Sequence, residues 1–185
     1  HEAGLLVIAD GKRGDVPVSA AAYADALLGS TPTPWGDAPG LGADAATVNP
    51  LMGGDSLEPL VKAASSASAG LFFLVRTSNP GAADLLDAET PDGPLHEVIA
   101  RGVEALADRL AGSGELSGAG AVVGATEPGF LARLRELMPR AILLLPGVGA
   151  QGGAVEALGP AFSSPAAALV TASRSVAGAA DPGAA

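Results

Sequence analysis

The densest group of chemically capable side chains is Asp10-Gly11-Lys12-Arg13-Gly14-Asp15, directly after the apolar run Leu5–Ala9. Residues two apart on an extended strand point the same way, about 6.6 Å apart along its axis. Asp10 and Lys12 therefore project into one site. The turn through Gly14 can bring Asp15 back, either to that site or to a neighbouring subunit's. Carboxylates on both sides of an ammonium hold it charged and fixed. Such an array suits a lysine that delivers a proton to a carbanion, with carboxylates where an anionic leaving group would sit. A solvated turn with ordinary ion pairs is the plainer reading of the same residues. Arg13-Gly14-Asp15 also spells an integrin-binding tripeptide, against which the enzyme-like surroundings weigh.

A second group is Pro146-Gly147-Val148-Gly149-Ala150-Gln151-Gly152-Gly153, straight after the apolar run Ala141–Leu145. Four glycines let backbone N–H groups approach an anion, and a helix starting after Gly153 would add its positive end. Ser173-Arg174 follows the next apolar run. Loops after the last two strands of a β/α barrel commonly hold phosphate; Arg174 would supply a two-pronged fork and Gln151 a side-chain donor. Gly147, Gly149 and Gly152 also match G-x-G-x-x-G, which raises a dinucleotide fold. That motif normally opens the first strand–helix unit and is followed about 20 residues on by an acidic residue. Here it falls in the fifth unit and Thr171-Ala172-Ser173-Arg174 stands at the later position, so a phosphate site is the preferred reading.

The third group is Arg76-Thr77-Ser78-Asn79-Pro80-Gly81. Ser78 and its N–H could read a carbonyl or imide edge of a base; Asn-Pro-Gly is also ordinary turn chemistry. His96, among Leu95, Val98 and Ile99, is expected on a helix surface or partly packed, and Trp35 and Tyr23 are expected to anchor a loop and a helix. No G-x-S-x-G elbow, Walker A loop or H-E-x-x-H is present.

These groups need elements to carry them. Six near-continuous apolar runs, Leu5–Ala9, Ala45–Val48, Leu71–Val75, Ala121–Val123, Ala141–Leu145 and Ala167–Thr171, read as parallel strands covered on both faces. Helical stretches fall between them at Ser19–Leu28, Leu57–Ser65, Leu95–Leu110, Pro128–Leu137 and Gly153–Leu158, with Pro128 as a first-turn proline. Gly29–Gly42 and Gly112–Gly120 read as Pro/Gly-rich connectors. Repeated strand–helix units predict an α/β chain with right-handed crossovers, one domain over 1–178 and a frayed tail over 179–185. The polar groups fall just past the C-terminal ends of the strands, where parallel α/β proteins bind ligands.

Composition narrows the chemistry. Apolar residues are 48% of 185, enough for one packed core. The absence of cysteine excludes disulfides and thiolate chemistry. Two histidines, His1 and His96, argue against a His-rich metal centre. A net charge of −10 disfavours nucleic acid as a partner, although a local pocket can still hold a small anion. No apolar run approaches the ~20 residues of a membrane helix, and no signal peptide is evident, so a cytoplasmic protein is expected. The chain opens without an initiator Met, which reads as missing upstream sequence.

Taken together, the stretches ADGKRGDV, TVNPLMGGDSLEP, VRTSNPG, VGAT, LPGVGAQGG and SRSV resemble, in order and over nearly the whole chain, the orotidine 5′-monophosphate decarboxylase family, most closely its longer bacterial, actinobacterial subgroup. The resemblance implies a (β/α)8 TIM barrel, of which this chain carries six of eight strand–helix units. It implies decarboxylation of a small-molecule nucleotide, orotidine monophosphate, to UMP, with no metal and no organic cofactor. Asp10, Lys12 and Asp15 match the family's D-x-K-x-x-D core. By that match Lys12 protonates C6 of the carbanion as CO2 leaves, Asp10 positions Lys12, and Asp15 serves the site of a partner subunit, implying a homodimer with shared active sites. Ser19 stands where the family usually has threonine. Ser78 matches the serine that contacts the pyrimidine, Gln151 and Arg174 match the phosphate grippers, and Gly152 matches a backbone contact.

Leu51 and Pro17 depart from the subgroup's usual tyrosine and small residue. The family's first two strands, with a ribose-contacting aspartate and a second lysine, and its closing C-terminal helix are not found. Six units do not close an eight-stranded barrel, and the open edges would invite non-native pairing. The chain as written is thus expected to be inactive or nearly so. Two alternatives stay open: a magnesium-dependent sugar-phosphate lyase or synthase of the same barrel group, and an inert truncated paralogue.

Overall fold

The computed structural model describes residues 3–149 and 152–181. In chain order the elements are β1 (Ile8–Arg13), α1 (Pro17–Leu28), β2 (Ser30–Thr33), β3 (Gly36–Pro39), β4 (Ala45–Val48), α2 (Gly54–Ala67), β5 (Gly70–Arg76), α3 (Ala82–Leu86), β6 (Glu89–Thr90), β7 (Gly93–Pro94), α4 (Leu95–Ala105), β8 (Ser117–Val123), α5 (Gly129–Leu137), β9 (Ala141–Leu145), a 3-10 helix (Val155–Ala161), β10 (Ala168–Val170) and α6 (Ser173–Ala177). They form two compact units, one of residues 1–74 with 105–120, the other of 75–104 with 121–185. By these bounds β5 and β8 contribute residues to both.

In the first unit the hydrogen-bonded order is β1-β4-β5-β8. β1 runs parallel to β4, and β4 parallel to β5. All four residues of β4 are buried, as a strand with neighbours on both sides and helices above requires. α1 packs on α2, burying Ala20, Ala24 and Leu28 from one helix and Leu60, Val61 and Ala64 from the other. Small residues let the two backbones approach. α1 starts without a side-chain cap: Pro17 occupies its first turn, where the missing N–H costs nothing.

In the second unit the order is β5-β8-β9-β10, with β9 and β10 parallel. Val75, Leu131, Leu134, Met138, Leu143 and Leu145 make its core.

Several expectations need correction. The first strand begins at Ile8 rather than Leu5, because pairing with β4 starts at Ile8↔Ala45; Leu5 and Leu6 are left 70% and 84% exposed. Gly29–Gly42 is not a plain loop. Its β2 and β3 form an antiparallel hairpin, held at the tip by Thr33 Oγ1 donating to Gly36 O at 2.6 Å. Trp35 sits at that tip, 92% exposed, and anchors nothing. The connector Gly112–Gly120 gives way to strand at Ser117, and the helix expected to Leu110 ends at Ala105. Pro128 is the N-cap of α5, one residue outside its first turn. The helix expected over Gly153–Leu158 is a 3-10 helix from Val155. His96 is buried, not at the surface. Residues 182–185 of the expected tail lie outside the described residues.

Candidate active site

The first group of site residues arises from an irregularity in β1. Between the pairs Ala9↔Ala46 and Arg13↔Val48, β1 spends four residues where β4 spends two. A bulge of this kind re-aims side chains and is common beside functional sites. Lys12 lies inside it with φ 48, a left-handed conformation that costs a non-glycine residue about 1–2 kcal/mol. Lys12 Nζ meets Asp10 Oδ1 at 2.6 Å, so the two side chains come together through the bulge rather than through regular strand spacing.

Thr47 completes the arrangement. It is fully buried in β4, where a hydroxyl must find partners. Its Oγ1 donates to Asp10 Oδ1 at 2.9 Å and accepts the Lys12 N–H at 2.9 Å. Residue spacing alone gives Thr47 no role in the site. The signal was present: one hydroxyl inside an otherwise apolar four-residue strand. Partial burial works to raise the Asp10 pKa, but the hydrogen bonds from Lys12 and Thr47 and the charge of Lys12 outweigh it and hold the carboxyl below the ordinary aspartate value. Asp10 therefore stays ionised beside the ammonium. Asp15 Oδ1 accepts the Val16 N–H at 2.7 Å, which turns that carboxylate toward its own loop. Ser19 is half-buried in the first turn of α1.

The second group follows strand ends in the other unit. Ser78 comes two residues after β5, and its carbonyl accepts Thr126 Oγ1 at 3.2 Å. The loop after β9 folds on itself: Gly149 N donates to Gly153 O, Gly152 N to Gly149 O and Gly153 N to Gly147 O. The Gly152 N–H is thus engaged inside the loop. The helical dipole expected behind Gly153 is reduced to a 3-10 turn starting at Val155. Gln151 lies outside the described residues. Arg174 is exposed in the five-residue α6, just beyond β10. Among the described residues, no three His, Asp or Glu side chains converge as a metal site, and no helix is long and apolar enough to cross a membrane.

Parallel strand–helix units with charged groups at the strand ends define a chain of the β/α-barrel class. The family model for Orotidine 5'-phosphate decarboxylase / HUMPS matches residues 1–185, and the chain belongs to that family. The orotidine 5'-phosphate decarboxylase of Rhodopirellula baltica is 43% identical over 180 residues, which are 95% of this chain and 58% of that protein. The Deinococcus radiodurans protein of the same name is 45% identical over 174 residues, 94% of this chain and 59% of its own. The chain therefore spans somewhat over half the length of these relatives. Among solved structures, a putative orotidine 5'-phosphate decarboxylase from Streptomyces avermitilis is 37% identical with TM-score 0.75, covering 95% of this chain and 58% of that one. Leishmania donovani UMP synthase is 36% identical with TM-score 0.77, covering 98% and 37%. The fold is that of a partial (β/α)8 barrel.

Proposed function

We propose that this chain carries the proton-donating machinery of an orotidine 5′-monophosphate decarboxylase. The observation that carries the reading is the Lys12–Asp10 contact at 2.6 Å inside a strained bulge. As the C6–carboxylate bond breaks, CO2 departs and its electron pair stays on C6. Lys12 Nζ gives a proton to that carbon, and the amine recovers one from solvent. Asp10, with Thr47 behind it, keeps the ammonium aimed. Ser78 reads the pyrimidine, while Gln151, the Gly152 loop and Arg174 serve the phosphate. Ser19 lends its hydroxyl to substrate binding. Asp15 stands on its own loop and serves the site of a second copy, which makes the working form a homodimer. Residue by residue these roles rest on family membership. Relatives named orotidine 5'-phosphate decarboxylase favour this substrate over a sugar phosphate.

The test follows orotidine 5′-monophosphate absorbance and UMP binding, for the chain and for Lys12→Ala and Arg174→Ala. Binding of UMP that Arg174→Ala weakens, with any turnover of the unaltered chain abolished in Lys12→Ala, supports the reading. Turnover that survives Lys12→Ala, or failure of the unaltered chain to bind UMP, overturns it.

A further inference from the structure

The turn bearing Ser78 is fastened more heavily than a strand-end turn requires. Three successive carbonyls are each held by a different donor. Gly124 N–H donates to Arg76 O at 2.7 Å. Arg76 Nη1 donates to Thr77 O at 2.8 Å. Thr126 Oγ1 donates to Ser78 O at 3.2 Å. Fixing three carbonyls in a row fixes the peptide planes on both sides of Ser78, and so the direction of its N–H and side chain.

The fastening is built from costly parts. Arg76 is buried, and its Nε and Nη2 grip the two oxygens of Asp87 at 2.7 and 3.0 Å. Its guanidinium lies 5.0 Å over the Phe130 ring, which meets the His96 ring edge-on at 4.9 Å. Burying the guanidinium removes hydration that the pairing with Asp87 has to replace. The arginine is thus locked by one face and two prongs, with the third nitrogen left to hold Thr77 O. On the opposite side, Gly124 leaves no room: a Cβ there would lie 2.6 Å from Ser78 Cα and 2.7 Å from its N. Only glycine allows β8 to end directly against the serine.

We propose that Arg76, Gly124 and Thr126 are positioning residues that set Ser78 for recognition of the pyrimidine ring. The inference rests on the nucleotide reading above and extends it to residues to which that reading gave no role. None of the three need touch the ligand. They act through Ser78, so their effect is confined to the base and leaves the phosphate end alone.

The experiment compares the dissociation constants of UMP and of ribose 5-phosphate, which lacks the base, in the chain and in Thr126→Val, Thr126→Ser and Arg76→Lys. Thr126→Val keeps shape and removes one hydrogen bond. Loss of about 1 kcal/mol of fixation corresponds to roughly fivefold weaker UMP binding. The expected result is that loss for UMP with ribose 5-phosphate unchanged, rescue by Thr126→Ser, and a larger UMP-selective loss in Arg76→Lys. Equal weakening of both ligands, or unchanged UMP affinity in Thr126→Val, overturns the positioning role while leaving the nucleotide reading intact. Failure of the unaltered chain to bind UMP overturns both.

Discussion

Thr47 Oγ1 donates to Asp10 Oδ1 at 2.9 Å although the residues are 37 positions apart. The same aspartate oxygen receives Lys12 Nζ at 2.6 Å, so a buried hydroxyl and an exposed ammonium share one acceptor. Thr47→Val keeps the shape of β4 but strands the Lys12 N–H and frees Asp10 to rotate. The expected cost is about 1–3 kcal/mol of stability. Urea unfolding checks it; a fully stable variant would show the bulge to be held elsewhere.

Lys12 separates strain from function. Replacing it with alanine removes the ammonium but keeps a Cβ at φ 48, whereas Lys12→Gly removes both. The exposed ion pair itself contributes little, about 0.2–1 kcal/mol. Lys12→Gly should therefore be more stable than Lys12→Ala by about 1 kcal/mol, and both should be inert as proton donors. Denaturant midpoints of the two variants decide it.

The Asp10 carboxyl has a folded-state pKa below its ordinary value, because bonds from Lys12 and Thr47 outweigh the opposing effect of burial. A depressed acid contributes stability above the unfolded value, and that contribution disappears as pH falls through the folded one. The loss therefore falls below about pH 3.9. Asp10→Asn should flatten this part of the acid-unfolding curve, and NMR titration of the Asp10 carboxyl carbon should show a midpoint under the ordinary range.

Asp87 is held low chiefly by its hydrogen bonds from Arg76, again against burial, with the Arg76 charge and His96 adding to the effect. Asp87→Asn leaves the buried Arg76 without its counter-charge. The expected destabilisation is roughly 3 kcal/mol, read as a lowered melting temperature. Arg76→Met with Asp87→Asn should recover part of it, since no unpaired charge then remains.

Arg135 binds backbone alone. Its guanidinium reaches Ala161 O at 2.8 Å, Ala141 O at 2.7 Å, Ala167 O at 2.9 Å and Met138 O at 3.0 Å. Burial lowers its pKa, against a smaller opposing pull from Glu104, yet arginine remains charged at any working pH. Arg135→Lys keeps the charge but cannot span four carbonyls. A loss of at least about 2 kcal/mol is expected, with no change in how tightly UMP binds to the protein that remains folded.

The later strands of the large sheet were legible in the chain order, because an apolar run is a local pattern that any window of sequence contains, whereas the first, expected over Leu5–Ala9, lies at Ile8–Arg13. The family motifs were legible for the same reason. The bulge was not, nor was Thr47 as the hinge of the site. Both depend on which residue of β4 faces which residue of β1, and that register is chosen by pairing between residues 37 positions apart. Likewise Arg76 read as the end of a strand and His96 as a surface or partly packed residue until Asp87, Phe130 and the Leu86 carbonyl closed around them. Spacing states which groups can face the same way. Burial and long-range contact decide which are desolvated, which are strained, and which hold others still.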